Sequence, residues 1–196
     1  MASILSAVIN HESINNELTN LINSLGNENC DKTAAAAIVN DTGYTLANPR
    51  IYYPNGSSVF VSPLPIPPAC FPLRSILGIS FKKNCVHRCE NCGTCDIGIY
   101  SVMVVYDIKE LNKSLCIMFD FYLKKWNIQI RSIYGYKAAA LYNDLNREPL
   151  DMKTQVNSKG FNSDDSGWSY ISNAEGDGST FIISIQRNRG TVFAKL

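Results

Sequence analysis

The sequence predicts a mainly β fold, an antiparallel β-sandwich flanked by two α-helices. Many short β-rich runs separated by turn signals predict the sandwich. Two stretches with helical patterns, one near the amino terminus and one near residue 140, predict the helices. The chain has 196 residues, of which 45% are hydrophobic, and this is enough apolar material for the core of one domain.

The first helix is predicted over residues 4–25, where apolar side chains recur at alternating three- and four-residue steps. Gly26 follows in a C-cap position. A helix of that length would extend roughly 33 Å, about the thickness of a bilayer's hydrocarbon core. Two interpretations stay open, because such a helix can pack on a domain core or lie in a membrane interface and line a pore with others. The apolar residues of the membrane interpretation are Ile4, Leu5, Val8, Ile14, Leu18, Leu21, Ile22 and Leu25.

Beyond Cys30 the periodicity becomes that of short strands. The predicted strands are 34–39, 50–53, 59–61, 97–108, 114–122, 126–132, 180–185 and 190–194. The five prolines between residues 59 and 73 predict an edge or a loop. A second helix is predicted at 136–146, and the Ser/Asn/Gly-rich stretch 157–167 is predicted as a loop. The domain organisation is therefore an amino-terminal helical segment, 1–28, and one sandwich domain, 29–196.

Composition excludes several classes of function. The formal net charge is +1, which argues against a strongly basic nucleic-acid binder. Only two histidines are present, and neither lies in a pattern typical of a nucleophilic triad. The chain contains no phosphate-binding glycine loop, no HExxH and no GxSxG motif. We therefore expect a protein that is not an enzyme and that needs no cofactor.

Four of the seven cysteines, Cys85, Cys89, Cys92 and Cys95, lie within eleven residues. Three interpretations stay open: a zinc site with His87 as an additional ligand, a variant of an iron–sulfur motif, or two disulfides that staple a loop. The spacing lacks the separated CxxC pairs of zinc sites, so no metal site is assigned. The first 31 residues contain no Lys or Arg and break their apolar run at Asn10, so we expect no signal peptide.

Several stretches occur in the order in which similar stretches occur in one known family. They are 36–45, 48–53, 63–68, 104–108, 115–119, 126–130, 140–145 and 165–168. With the amphipathic helix before them, they resemble the actinoporins, the small pore-forming cytolysins of sea anemones. The actinoporin-like fold is shared with fungal fruit-body lectins.

The resemblance implies a sandwich with a helix on each face and a monomer that binds phosphocholine head groups, preferably those of sphingomyelin. It implies secretion and action at a target-cell membrane, with a cytoplasmic stage before release also possible. There the amino-terminal helices insert and form a homo-oligomeric cation pore. By resemblance, Tyr142, Trp126 and Tyr122 would contact the head group, while Glu12 and Glu17 would line the pore and favour cations.

The sequence departs from the family at the head-group loop, which is shorter here and contains fewer aromatic residues. Lys124, Lys125 and Arg147 occupy those positions and could instead bind phosphate or an acidic lipid. The shortened loop leaves a second hypothesis open: a non-lytic module that binds lipid, glycan or protein on the same scaffold.

Overall fold

The structure is a computed structural model. It describes residues 11–25, 32–53, 57–68, 73–81, 100–122, 124–132, 140–142, 159–163, 169–175 and 179–187. Within these ranges the chain forms one α-helix, one short 3-10 helix at Lys109–Leu111 and ten strands, and residues 140–142 are also helical. The helix and strands are α1 His11–Ser24, β1 Lys32–Asp41, β2 Ala47–Tyr52, β3 Ser58–Val61, β4 Leu73–Phe81, β5 Ser101–Ile108, β6 Lys113–Asp120, β7 Lys125–Ser132, β8 Lys159–Ser163, β9 Ser169–Glu175 and β10 Thr180–Arg187.

The strands form two sheets. One has six strands in the order β3-β4-β1-β10-β9-β8, and the other has four in the order β2-β5-β6-β7. The mainly β prediction is confirmed at this level. The expectation of purely antiparallel strands is wrong at one place, because β1 and β10 pair in parallel, with Ile38 opposite Ile183. Parallel neighbours need a long connection, and here the whole chain between these two strands provides it.

One hydrophobic core lies between the two sheets. Alternate residues of β1, β4, β5, β6, β7 and β10 point into it, as the period of two of a β-strand requires. The six-stranded sheet contributes Ile38, Phe81 and Phe181, while the four-stranded sheet contributes Phe119 and Trp126. The aromatic rings pack tightly: Phe119 and Phe181 are 5.5 Å apart between centroids, nearly edge to face. This core ties the two sheets together.

Each sheet also has a covered outer face. On the six-stranded sheet, Ile14 and Leu18 of α1 are buried against Ala35, Ala37 and Ile182. The alanines are small, so the helix can approach the strands closely. On the four-stranded sheet, the helical residues 140–142 cover the apolar outer face, where Leu141 and Tyr142 pack with Met103, Val105, Cys116 and Met118. Of the helix predicted at 136–146, only residues 140–142 are described, and of the one predicted at 4–25, residues 4–10 lie outside the described part.

Three strands were missed by the sequence predictions. They are β4, β8 and β9. β4 directly follows the proline-rich stretch, whose prolines argued against a strand there, and β8 lies within the stretch predicted as a loop. β8 and β9 are rich in Ser and Asn, so their composition indicates turns rather than strands. They form because each pairs with a neighbour, β8 with β9 and β9 with β10. The predicted strand 190–194 lies outside the described residues.

The proline-rich stretch does form an edge, as predicted. β3 is the edge strand next to β4, and Leu46 and Ile66 form an isolated antiparallel bridge beyond it. Asn40 is buried and donates hydrogen bonds to the carbonyl oxygens of Tyr44 and Ile66. Its own side-chain oxygen accepts from the backbone N–H and hydroxyl of Thr42. This one side chain therefore anchors both the turn after β1 and the proline segment.

A buried carboxylate lies at one end of the four-stranded sheet. Asp107 of β5 is 4% exposed and receives two hydrogen bonds from Arg50, at 2.6 and 2.9 Å. Asn48 and Ser114 donate to it as well, at 3.2 and 3.1 Å. Asn48 lies at the register shift of β2 with a φ of 47°, a left-handed conformation that asparagine tolerates well. The strand irregularity thus brings a third side chain to the carboxylate.

These donors decide the charge state of Asp107. Burial by itself raises the pKa of this carboxyl. The hydrogen bonds from Arg50, Asn48 and Ser114, together with the positive charge of Arg50, outweigh burial and hold the pKa below the ordinary aspartate value. Asp107 is therefore ionised in the folded protein at neutral pH, and its pairing with Arg50 stabilises the fold there.

We expect Asp107→Asn to lower the free energy of unfolding by about 2 kcal/mol at pH 7, because it leaves Arg50 without its partner charge. The cost stays below that of a fully buried pair, since the Arg50 side chain is 38% exposed. A lowered pKa means that this stabilisation is complete above the ordinary aspartate pKa and is lost as the pH falls through the folded value. Urea unfolding from pH 7 to pH 2 should therefore show a smaller acid-induced loss in the variant.

The matched control for this measurement is Asp41→Asn, which removes an exposed carboxylate at the end of β1. It should change the unfolding free energy by no more than about 0.5 kcal/mol. Equal effects of the two substitutions would contradict the role assigned to the Asp107 network.

Candidate functional site

One end of the four-stranded sheet is rich in tyrosine. Tyr52 ends β2, Tyr53 follows it, Tyr100 precedes β5 and Tyr122 follows β6. The register brings them to the same end, because Tyr52 is opposite Met103 and Ser101 is opposite Asp120. Tyr142 reaches this end from the outer face, where its hydroxyl lies 3.2 Å from the hydroxyl of Ser101. We call these five residues, Tyr52, Tyr53, Tyr100, Tyr122 and Tyr142, the tyrosine rim.

The rim is built outward from the core. Tyr100 meets Phe81 edge to face at 5.6 Å, and Phe81 belongs to the inter-sheet core. Tyr122 stacks on Tyr100 with centroids 6.1 Å apart and ring planes 30° apart. Tyr122 is 50% exposed and Tyr53 is 42% exposed. The rim therefore presents aromatic surface to solvent from a support that the core holds in place.

Tyr142 is held differently. Its ring packs with Tyr52 and Leu141 over the outer face of the four-stranded sheet, so it is half-buried. Its hydroxyl also donates to the carbonyl oxygen of Ser101 at 3.3 Å. The hydroxyl contacts with Ser101, the first residue of β5, place Tyr142 at the end of the sheet where Tyr100 lies.

A lysine from the other sheet contributes positive charge to the rim. The ammonium of Lys32, the first residue of β1, lies 5.9 Å from the ring centroid of Tyr100. It also donates a hydrogen bond to the carbonyl oxygen of Phe121 at 2.7 Å. Lys124 lies in the turn between β6 and β7, where it is exposed and has a φ of 54°. This end of the molecule combines aromatic rings with cationic side chains.

Two of the three residues that the resemblance implied for head-group contact, Tyr122 and Tyr142, lie in the tyrosine rim. Trp126 does not: it is 1% exposed and sits in the inter-sheet core opposite Phe119. Its position as the second residue of β7 points it inward, which corrects the surface role expected for it. Tyr52, Tyr53 and Tyr100 were not predicted as site residues. Tyr52 and Tyr53 end the predicted strand 50–53, and Tyr100 lies near the start of the predicted strand 97–108. Their place near strand ends is the signal that could have indicated a surface at the end of a sheet.

The described residues of the predicted inserting helix lie on the outer face of the six-stranded sheet. Ile14 and Leu18 are buried there, while Leu21 and Ile22 are partly buried and Leu25 is of intermediate exposure. Ile4, Leu5 and Val8 lie outside the described residues. Within the described part of the chain, no helix combines the length and the apolar character needed to cross a membrane.

The two acidic residues predicted to line a pore differ in their surroundings. Glu12 is exposed in the first turn of α1. Glu17 pairs with Arg74 of β4, with 2.5 Å between the carboxylate and guanidinium. A second polar contact joins the helix to the sheet, since Thr180 donates to the side-chain oxygen of Asn15 at 2.9 Å. Both polar contacts lie beside the apolar contact of Ile14 and Leu18.

The cysteine cluster and the side chains of two of the three basic residues near the predicted head-group loop lie outside what the structure describes. Cys85, Cys89, Cys92 and Cys95 lie outside the described residues, as does Arg147, and the side chain of Lys125 is not described. Among the residues that the structure describes, no group of three or more His, Cys, Asp or Glu side chains is arranged to hold a metal ion.

Comparison with known proteins assigns no family. No family model matches this chain, and no curated protein matches it.

We expect Trp126→Phe to lower the free energy of unfolding by about 1–3 kcal/mol, because the smaller ring leaves part of the core unfilled. The rim should be unchanged, so the ring signals of Tyr100 and Tyr122 in NMR spectra should keep their positions. Urea unfolding and these spectra check the two statements. A variant with full stability and shifted rim signals would contradict the assignment of Trp126 to the core.

Proposed function

We propose that this chain is an actinoporin-like pore-forming protein. In this proposal the tyrosine rim binds the membrane surface, and the amino-terminal helical segment detaches, inserts into the bilayer and assembles with copies of itself into a cation-permeable pore. The protein is a monomer in solution and a homo-oligomer on the membrane. The alternative function is a non-lytic module that binds lipid, glycan or protein through the same rim.

The observation that supports the pore-forming function best is the separation of α1 from the inter-sheet core. Ile14 and Leu18 pack on the outer face of the six-stranded sheet, whereas the inter-sheet core is built from strand residues and the segments between them. Each fully buried Ile or Leu contributes roughly 1.5–3 kcal/mol by burial. Loss of these contacts would leave the contacts of the inter-sheet core in place and would expose the outer face of β1. In this proposal the burial of the helix in lipid offsets the cost of that exposed area.

The same apolar stripe suits a membrane. A helix satisfies its own backbone hydrogen bonds, as the hydrocarbon core of a bilayer demands. Ile14, Leu18, Leu21 and Ile22 would exchange the sheet for lipid. Glu12 would face water on the opposite side, and Glu17 would lie at the border of the apolar stripe, where it loses Arg74 as its partner. Two carboxylates per helix, repeated around a ring of helices, would favour cations in the lumen.

The tyrosine rim supports membrane docking. Tyrosine has an apolar ring and a polar hydroxyl, so it is enriched where a membrane meets water. Tyr53 and Tyr122 expose about half of their surface at the end of the sheet that also contains Lys124. Rings with cationic neighbours can contact both the head-group phosphates and the apolar region beneath them.

We expect Tyr122→Ala to reduce binding to vesicles about tenfold, because it removes an exposed ring that stacks on Tyr100. Sedimentation with vesicles of phosphatidylcholine, with and without sphingomyelin, measures this. The control is Leu64→Ala, which removes an exposed apolar side chain, 68% exposed, beside Tyr106 and Ser75 at the opposite end of the sheets. Equal losses in both variants would show that the rim is not the docking surface.

We expect Leu21→Asp to reduce dye release from the same vesicles at least tenfold, because a charge on the apolar stripe opposes insertion into hydrocarbon. The control is Asn23→Asp, which adds the same charge on the exposed face of α1. Urea unfolding of both variants confirms that the sheets remain folded. Undiminished release by Leu21→Asp would overturn the insertion of this helix.

One observation favours the alternative function. The Glu17–Arg74 ion pair and the hydrogen bond between Thr180 and Asn15 fasten α1 to the six-stranded sheet. A non-lytic binder would keep this helix docked. Vesicle binding without dye release, together with loss of binding in Tyr122→Ala, would establish the alternative. Dye release only from vesicles that contain acidic lipids would show that the cationic side chains bind the membrane and that a phosphocholine site does not.

A further inference from the structure

The contacts of Lys32 define a small cation site within the tyrosine rim. Its ammonium lies near the face of the Tyr100 ring and donates a hydrogen bond to the carbonyl oxygen of Phe121. A ring face attracts any cation within about 6 Å. The carbonyl oxygen adds a requirement, because only a cation with an N–H group can donate to it.

We propose that the Tyr100 ring and the Phe121 carbonyl oxygen form a binding site for a primary ammonium, and that the Lys32 ammonium fills this site until a ligand displaces it. The inference deepens the proposed docking role of the rim by naming the ligand class, a primary ammonium such as an ethanolamine head group presents. A quaternary ammonium has no N–H group, so it can replace only one of the two contacts.

The position of the site supports an exchange of ligands. Lys32 and Tyr100 are both only partly buried, and Tyr122, which stacks on Tyr100, is half exposed. The long lysine side chain can swing into solvent without a change in the backbone of β1. In the proposed resting state Lys32 occupies the site, so the apparent affinity for an added ligand is reduced in proportion to the fraction of molecules in which the site is open.

Removal of the internal ammonium should therefore strengthen binding of an external one. The experiment titrates ethylammonium into the intact chain and into Lys32→Met and follows the ring signals of Tyr100 and Tyr122 by NMR. Lys32→Met keeps an unbranched side chain that is one atom shorter and removes both the charge and the donor. We expect the dissociation constant for ethylammonium to fall about three- to fivefold in Lys32→Met, the factor that corresponds to a partly exposed cation–π contact. Tetramethylammonium should bind the variant more weakly than ethylammonium does.

Two control variants separate this site from general electrostatics. Lys32→Arg keeps a cationic donor and should bind ethylammonium as weakly as the wild-type chain. Lys109→Met removes an exposed positive charge at the opposite end of β5 and should also leave binding unchanged. Thermal unfolding of each variant checks that the sheets are intact.

The ammonium titrations can fail or succeed independently of the vesicle assays. No tightening in folded Lys32→Met, or equal tightening in Lys109→Met, overturns the internal-ligand inference even if vesicles leak. Tetramethylammonium binding as tight as ethylammonium binding overturns the primary-ammonium assignment. Tightening confined to Lys32→Met supports the site even if no vesicle releases dye, in which case the pore-forming function alone has failed.

Discussion

The fold depends on the burial of two central strands, β1 and β5, on both of their faces. In β1, Ala36 and Ile38 face the inter-sheet core, while Ala35 and Ala37 face α1. In β5 every residue is buried. A strand without a polar face must be covered on each side, since exposed apolar area costs roughly 25 cal/mol per Å². The opposite sheet covers the inner faces, and helical segments cover the outer ones.

This constraint explains the position of both proposed functional elements. α1 covers the outer face of the six-stranded sheet, so the same apolar stripe that could enter a membrane already has a partner in the folded protein. The segment 140–142 covers the other outer face and thereby brings Tyr142 to the end of the sheet where Tyr100 and Tyr122 lie. The segment that covers the outer face of β5 therefore also supplies one residue of the tyrosine rim.

Polar groups appear where the apolar cover ends. Asp107 lies on the outer face of β5, beyond Met103 and Val105, and is satisfied by Arg50, Asn48 and Ser114. A buried carboxylate without such donors would cost several kcal/mol. At the opposite end of the same strand, Tyr100 and Lys32 form the boundary with solvent. At the Asp107 end, the hydrogen-bonded carboxylate stabilises the fold. At the Tyr100 end, aromatic and cationic side chains remain accessible to solvent.

By itself the sequence determined the mainly β class, most strands of the two sheets and the apolar stripe of α1, because these follow from local periodicity along the chain. It could not reveal β8 and β9, whose Ser- and Asn-rich segments become strands only through pairing, β9 with β10 and β8 with β9. Nor could it show that Trp126 is a core residue while Tyr100 belongs to the rim, since aromatic side chains suit both places. The tertiary structure decided these points, because the register of β5, β6 and β7 sets which rings face the core and which reach solvent. It also decided that Glu17 pairs with Arg74 and that Lys32 lies near Tyr100, two contacts between residues far apart in the chain.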